Sequence, residues 1–422
     1  MRRSRCERRS FFCFELAAAV NCHTINRGPF FRQCISIGRR WTEGAVGFAH
    51  IHGVQLLLKG HSMSCDMQPS ITALASAKLF AGTTLPWVLE ANEAGSGMAR
   101  EDFLAWLVDN RQSIENRLHR HGAVLFRGFK ALKGAADFEA VIKAMSHKLL
   151  DYAGGTTPRS AVSGQVVTST DAPPHLTIGQ HQEMSYLEPS PSFPDPTPDK
   201  VAFFCEVEPA GGGQTPLCDM RTVLQKLPQD LVRRFETRGL VLTRQLPETK
   251  QAGYEVTWPT MFGTSDRQEA EAFAAKRRWR IEWTDDGGVR VHQNPSPSTL
   301  VHRVTGEKVW FNQAHLLHRH YAPWTGDFLG PAADQQAEAE RLRPALSKRF
   351  FYHSTHADGS DIMISDLETV RQTIAETMTM FDWKVGDLLI CDNKLVSHGR
   401  QPYTPPRRIL AALAADDRGE RT

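Results

Sequence analysis

The residues best placed to do chemistry are His181 and Glu183, in the run Ile178-Gly179-Gln180-His181-Gln182-Glu183-Met184-Ser185-Tyr186. Read as a strand, this run sends side chains two residues apart out of the same face, so an imidazole and a carboxylate stand side by side. On a helix they would point to nearly opposite sides. Such a pair can fill two neighbouring positions on a metal ion, although a polar face on a surface strand accounts for the tripeptide equally well. A third ligand has to come from elsewhere. The candidate is His398, in Leu395-Val396-Ser397-His398-Gly399-Arg400. Two neutral imidazoles and one carboxylate on one face of an ion leave up to three positions open, which suits non-haem Fe(II) working with O2 and a bidentate co-substrate. A co-substrate with a distal carboxylate also needs a cation at the far end of its pocket. The Arg407-Arg408 pair, which ends ten residues beyond His398, offers a guanidinium fork for that task.

The elements that must position these groups are mostly short strands flanked by helices. Met98 to His119 carries Phe103, Leu104, Leu107, Ile114 and Leu118 at helical spacing, and Gly122 is a natural stop. A buried strand follows at Ala123–Phe126, then a second amphipathic helix over Ala136–Leu150. Residues 154–180, rich in Gly, Thr, Ser and Pro, read as a loop leading into the metal-binding stretch. The proline-dense segment from Pro189 to Pro198 excludes helix and central strand and reads as a connector. Val201–Cys205 is a strand, and Gly211-Gly212-Gly213 is a sharp turn with no Lys-Ser/Thr behind it, which excludes a phosphate cradle.

Further along, Asp219 caps a helix expected to run to Arg238 and to end at Gly239. Leu240–Gln245 is a strand, and Asp266 with Glu269 starts a helix to Lys276. A hairpin joins Trp279–Trp283 to Val289–Gln293, and Lys308–Phe311 is strand-like. Ser365 with Glu368 opens a last helix to about Met380. Asp387–Cys391 and Lys394–His398 form the terminal hairpin, and Arg408–Ala414 the last strand. The pattern predicts a mainly β protein, a barrel or jelly roll with helical packing.

Composition narrows the function classes. The net charge of +3 conceals an asymmetry, because residues 1–60 hold ten Lys/Arg against three Asp/Glu and the remainder is four units negative. A nucleic-acid partner would want that surplus on the folded body, so none is expected. Five of the eight cysteines (Cys6, Cys13, Cys22, Cys34 and Cys65) lie in the first sixty-five residues at spacings that match no zinc pattern. Cys205, Cys218 and Cys391 read as small apolar residues in a reducing, cytoplasmic setting. Arg8-Arg9-Ser10-Phe11-Phe12 hints at twin-arginine export, but the apolar stretch behind it is short and broken by Glu15. Residues 1–66 therefore read as a disordered or non-native extension, with Met63 and Met67 as alternative starts. Residues 67–416 read as one domain and 417–422 as a tail. No membrane partner is expected, and the oligomeric state is not legible.

Several motifs acquire meaning jointly. Gly122-Ala123-Val124-Leu125-Phe126-Arg127-Gly128-Phe129, His181-Gln182-Glu183, Gly212-Gly213-Gln214-Thr215, Trp383-Lys384-Val385-Gly386-Asp387, and Asp392-Asn393 leading to His398 and Arg408 occur in this order. In that arrangement the sequence resembles the taurine dioxygenase (TauD/TfdA) family of Fe(II)/2-oxoglutarate enzymes over about residues 122 to 414. The resemblance implies a double-stranded β-helix (jelly roll) of clavaminate synthase-like type. It implies iron on His181, Glu183 and His398, and 2-oxoglutarate held at its distal carboxylate by Arg408 with help from Thr215. The reaction implied is hydroxylation of an unactivated C–H bond with O2, releasing succinate and CO2. Glu183 fills the position a halide would need, which argues against halogenation. Ala412 stands where the taurine enzyme carries its sulfonate arginine, which argues against taurine.

Thr157-Pro158-Arg159, Thr168-Ser169-Thr170 and Glu183-Met184-Ser185-Tyr186 are similar to the branch with clavaminate synthase and the hydroxylases of peptide-antibiotic pathways. That branch implies a small amino-acid-like substrate, free or tethered to a carrier protein. Arg159, Tyr186 and Asn312 are the candidate substrate contacts, while Tyr186 and Arg159 as packing residues, Thr215 as a turn cap and Trp383 as core remain the bland readings. Two other classes stay open beside the oxygenase: a non-catalytic binding protein that keeps the jelly roll, and a zinc hydrolase on the same three ligands.

Overall fold

The longest helix among the described residues, Arg100–His121, stops where the sequence supplies a left-handed residue: Gly122 has φ +82° and its N–H returns to the Leu118 carbonyl. Glycine is needed there twice over, since a Cβ at Gly122 would stand 2.3 Å from Val396 Cγ2. The chain then turns directly into the strand Ala123–Arg127. This is a computed structural model, and it describes residues 48–51, 54–57, 80, 82–145, 148–151, 159–189, 196–250, 256–319 and 352–416.

The chain divides into two units. Within Met1–Met63 the described residues form one antiparallel pair, Phe48–Ile51 with Val54–Leu57. The larger unit, Ser64–Thr422, is built on an eight-stranded sheet. Its path runs Trp87–Glu90, Ala123–Arg127, Leu388–Asp392, Lys200–Val207, Arg408–Ala415, Val166–Thr168 and Ala161–Ser163, with Lys148–Leu150 also paired to Arg408–Ala415. The central strands are apolar on both faces because both faces are covered. Phe126, Phe204, Ile390 and Leu410 pack outward with Phe103 and Phe138 of the helices. Their chain neighbours Leu125, Phe203, Leu389 and Ile409 pack inward with Leu217, Cys218 and Val396. A period of two thus splits each strand between two cores.

Facing inward is a three-stranded sheet, Leu217–Asp219, Val396–Arg400 and Ile178–His181, with Val396–Arg400 in the middle. A further four-stranded sheet runs Arg280–Trp283, Val289–His292, Val241–Leu246 and Tyr352–Thr355. The architecture is a double-stranded β-helix with helices on its outer face. Two motifs 260 residues apart in sequence lock it: Arg127 grips Asp387 through Nε and Nη2 at 3.0 and 2.6 Å.

Several expected elements take different bounds. The helix expected over Ala136–Leu150 ends at Met145, and Lys148–Leu150 instead joins the main sheet. The helix expected from Asp219 to Arg238 is two, Met220–Lys226 and Gln229–Arg238, because Pro228 cannot continue the first. Asp219 nevertheless caps as expected, accepting from the Arg221 N–H. The loop expected over 154–180 holds the short strands Ala161–Ser163 and Val166–Thr168 and the start of Ile178–His181. Most of the N-terminal extension and the 417–422 tail lie outside the described residues.

Candidate metal centre and its binding pocket

The strand carrying the first ligand is shorter than its sequence suggests. It ends at His181, and Glu183 opens a turn in which Met184 takes φ +59°. The two side chains converge all the same, with His181 Nε2 4.0 Å from Glu183 Oε2. His398 arrives by strand pairing, because it lies directly opposite His181 in the antiparallel register. The two rings stand 4.4 Å apart between centroids, and His398 Nε2 is 3.9 Å from the same Glu183 oxygen. Gly399 permits this approach, since a Cβ there would meet the Ile178 carbonyl at 2.5 Å.

The donor set fits a divalent transition metal. One ligand atom from each residue lies within 4.8 Å of the other two. His181 Nδ1 is 2.8 Å from the Gly179 carbonyl, which can only accept, so Nδ1 carries the proton and Nε2 keeps its lone pair. Burial holds the His398 pKa well below the usual histidine range, reinforced by His181 and Arg159, so this ring is neutral and able to ligate. Two imidazole nitrogens and one carboxylate on one side of an ion leave the other side open.

The turn bearing Glu183 is held from three directions. Asn393, fully buried, accepts from the Glu183 N–H at 2.6 Å and donates to the Glu183 and Pro198 carbonyls, both at 3.0 Å. Gln182 donates to the Lys394 carbonyl at 2.7 Å, and Gln313 donates to the Gln182 carbonyl at 2.8 Å. His315 donates through Nε2 to the Gln180 carbonyl at 3.0 Å. Burial, reinforced by Arg371, lowers the His315 pKa to about 3. Between about pH 6.5 and pH 3 the unfolded chain binds a proton at this position that the folded chain refuses, so stability falls as pH falls. At pH 5 the expected loss is about 2 kcal/mol relative to neutral pH. His315→Gln should flatten that acid limb of a thermal-stability profile; an unchanged limb would show that other groups set it.

A pocket beside the triad is lined by Arg159, Thr215, Phe203 and Arg407 together with His181 and His398. Arg159 donates through Nη2 to Glu183 Oε2 at 2.6 Å, with only 3% of its side chain exposed. Thr215 is buried and its hydroxyl accepts from Trp383 Nε1 at 3.1 Å, so Trp383 is both core and a support for the pocket. Phe203 lies edge-on to His398 with centroids 5.0 Å apart.

The arginine pair is reversed relative to expectation. Arg408 is half-exposed and its Nε pairs with Glu206 at 2.8 Å, away from the pocket. Arg407 lines the pocket, with Nε donating to the Gly213 carbonyl at 3.0 Å, and burial lowers its pKa to about 10. The placement follows the period of two along this strand: Arg407 has the parity of Ile409 and Ala411, which pack into the inner core, and Arg408 that of Leu410 and Ala412, which pack outward. Two candidate substrate contacts do not line this pocket. Asn312 spends its amide on the Ser298 carbonyl and the Ala314 N–H, and Tyr186 is buried against Arg244. Sequence reasoning missed Asn393, Gln313 and His315 as supports of the ligand turn; the only signal for Asn393 was the Asp-Asn of its hairpin turn.

A facial two-histidine, one-carboxylate set inside a jelly roll defines the chain as a non-haem Fe(II) oxygenase by class. It belongs to the taurine catabolism dioxygenase TauD, TfdA family, whose sequence profile matches residues 88–413, and its cofactors are Fe(II) and 2-oxoglutarate. A clavaminate synthase-like protein of Arabidopsis thaliana is 31% identical over 316 residues, 74% of this chain and 87% of that protein. The dapdiamide synthesis protein DdaC of Enterobacter agglomerans is 29% identical over 300 residues, 71% of this chain and 84% of its own. Among solved structures, a taurine dioxygenase from Burkholderia xenovorans aligns with a TM-score of 0.41 at 13% identity, covering 78% of this chain and 86% of that one. Among the described residues, no helix is long and apolar enough to cross a membrane.

Proposed function

We propose that the chain hydroxylates an unactivated C–H bond of a small amino-acid-like substrate, free or tethered to a carrier protein, with release of succinate and CO2. The observation that carries this reading is the triad His181, Glu183 and His398 facing a pocket that holds a buried cation, Arg407. Iron, when bound, supplies the coupling of 2-oxoglutarate decarboxylation by O2 to oxidation of the substrate. The protein residues divide the remaining tasks. Arg407 binds the distal carboxylate of 2-oxoglutarate, and Thr215, its hydroxyl fixed by Trp383, donates beside it. Phe203 shields the His398 ring from water, and Arg159 orients the Glu183 carboxylate. The amino-acid-like class draws support from the relative named for dapdiamide synthesis.

Residues 67–416 are proposed as the single catalytic domain, working in the cytoplasm. The profile match inside those bounds and three buried free cysteines, with the Cys205 and Cys218 thiols pushed up to about 12 chiefly by burial, support that assignment. The test is succinate release from 2-oxoglutarate by the purified chain with Fe(II), ascorbate and O2, screened against amino acids and carrier-bound aminoacyl groups. Slow release without substrate and faster release with one of them is expected, and Glu183→Ala should remove both. Release that continues in Glu183→Ala, or turnover supported by zinc without O2, would overturn the reading.

A further inference from the structure

Arg244 occupies a position built for an apolar residue. It lies in the strand Val241–Leu246, where Leu242, Arg244 and Leu246 share a face by the period of two, and both leucines belong to the inner core. Only 1% of Arg244 is exposed, yet it forms no ion pair among the described residues. Its Nη1 reaches nothing better than the Met261 sulfur at 3.7 Å, and its Nε and Nη2 have no hydrogen-bond acceptor. A guanidinium is charged at any working pH, and burying one without a counter-ion is costly.

The two orphaned groups share one edge of the guanidinium. This is the edge through which Arg127 grips Asp387, at 3.0 and 2.6 Å, and Arg234 grips Asp366, at 3.1 and 2.7 Å. In both cases the partner is a planar carboxylate taken in bidentate fashion, which is what the fork matches. A second cation stands near Arg244. Arg277 is near enough that, after burial itself, Arg244 helps to lower its pKa, while the acid opposing that effect is Glu188. One Glu188 oxygen is already taken by the Trp279 and Asn294 side chains.

The location ties this edge to the metal centre. The Arg244 guanidinium lies 4.5 Å from the centroid of the Tyr186 ring, and Tyr186 closes the turn that begins with Glu183. Arg407 stands in the pocket beside His181 and His398, so Arg244 is a separate cation on the other end of the ligand turn.

We propose that the Nε–Nη2 edge of Arg244 binds a carboxylate of the substrate, so that the substrate class is a carboxylic acid anchored through Arg244 and oxidised at a distance from that anchor. This rests on the oxygenase reading and adds the group by which the substrate is held.

The test uses the full chain loaded with Mn(II) and 2-oxoglutarate under argon, titrated with propionate or with propionamide, which has nearly the same shape and no charge, at constant ionic strength. Propionate should raise the melting temperature saturably and propionamide should not. Arg244→Met, close in volume, should weaken propionate binding at least tenfold, as should Arg244→Lys, which keeps the charge and loses the fork. Equal responses to propionate and propionamide in the native chain, or an undiminished propionate response in either variant, would overturn the proposal. Absence of a 2-oxoglutarate-dependent shift would count against the oxygenase reading alone, since the propionate comparison still decides on Arg244.

Discussion

Arg407→Leu should raise the KM for 2-oxoglutarate by about a hundredfold or more, while Arg408→Leu should change it less than about threefold. The contrast follows from where the two guanidinium groups lie. Arg407 is buried in the pocket, and truncating one partner of a desolvated charge pair costs about 2–5 kcal/mol, most of it from leaving the other charge unmet. Arg408 pairs with Glu206 at a half-exposed site, where such pairs contribute about 0–1 kcal/mol to stability and nothing to a co-substrate they do not touch. Steady-state succinate release at varied 2-oxoglutarate separates the two, and an effect on kcat at unchanged KM would mean that Arg407 acts on something other than co-substrate binding. Equal KM effects of the two variants would return the assignment to Arg408.

That reversal shows what a sequence can carry here. The metal ligands were legible because the motifs through His398 follow a family order; the strand expected to carry both His181 and Glu183 stops at His181, and a turn brings Glu183 beside it. The side of the chain on which each arginine falls was not legible, because Ile409 to Ala414 are apolar at every position and only the fold shows which alternate set, that of Ile409 or that of Leu410, faces the pocket. The helix break at Pro228 was readable in principle, since proline cannot continue a helix, but a capped start at Asp219 and a glycine at 239 outweighed it. Arg244 was invisible for a different reason. Arginine in an alternating strand reads as solvent-facing, and only the packing on both sides of Val241–Leu246 reveals that its face is interior. Conversely, Arg127 and Asp387 looked like unrelated parts of two motifs until the fold brought them into one bidentate pair.

Asn393→Ala should reduce affinity for Mn(II) or Fe(II) by about 10- to 100-fold, although Asn393 touches no ligand atom. Its amide fixes the main chain of Glu183 on both sides, at the N–H and at the carbonyl, and ties that turn to the Pro198 carbonyl. Without it, three buried backbone groups lose their partner, at a cost to folding of about 3 kcal/mol from bonds worth about 1 kcal/mol each. A purely structural role would lower the melting temperature of the metal-free and metal-loaded chains equally. A role in presenting Glu183 predicts more, namely that the additional stabilisation conferred by metal shrinks, because the carboxylate must be ordered at the moment of binding. Asn393→Asp sharpens the distinction. It keeps the acceptor for the Glu183 N–H but replaces the donor with an oxygen facing two carbonyls, 210 residues along the chain from the ligand it supports. If metal binding in Asn393→Asp matched the native chain, the Glu183 turn would have to be held by Gln182, Gln313 and His315 alone, and the contribution assigned to Asn393 would move to those three.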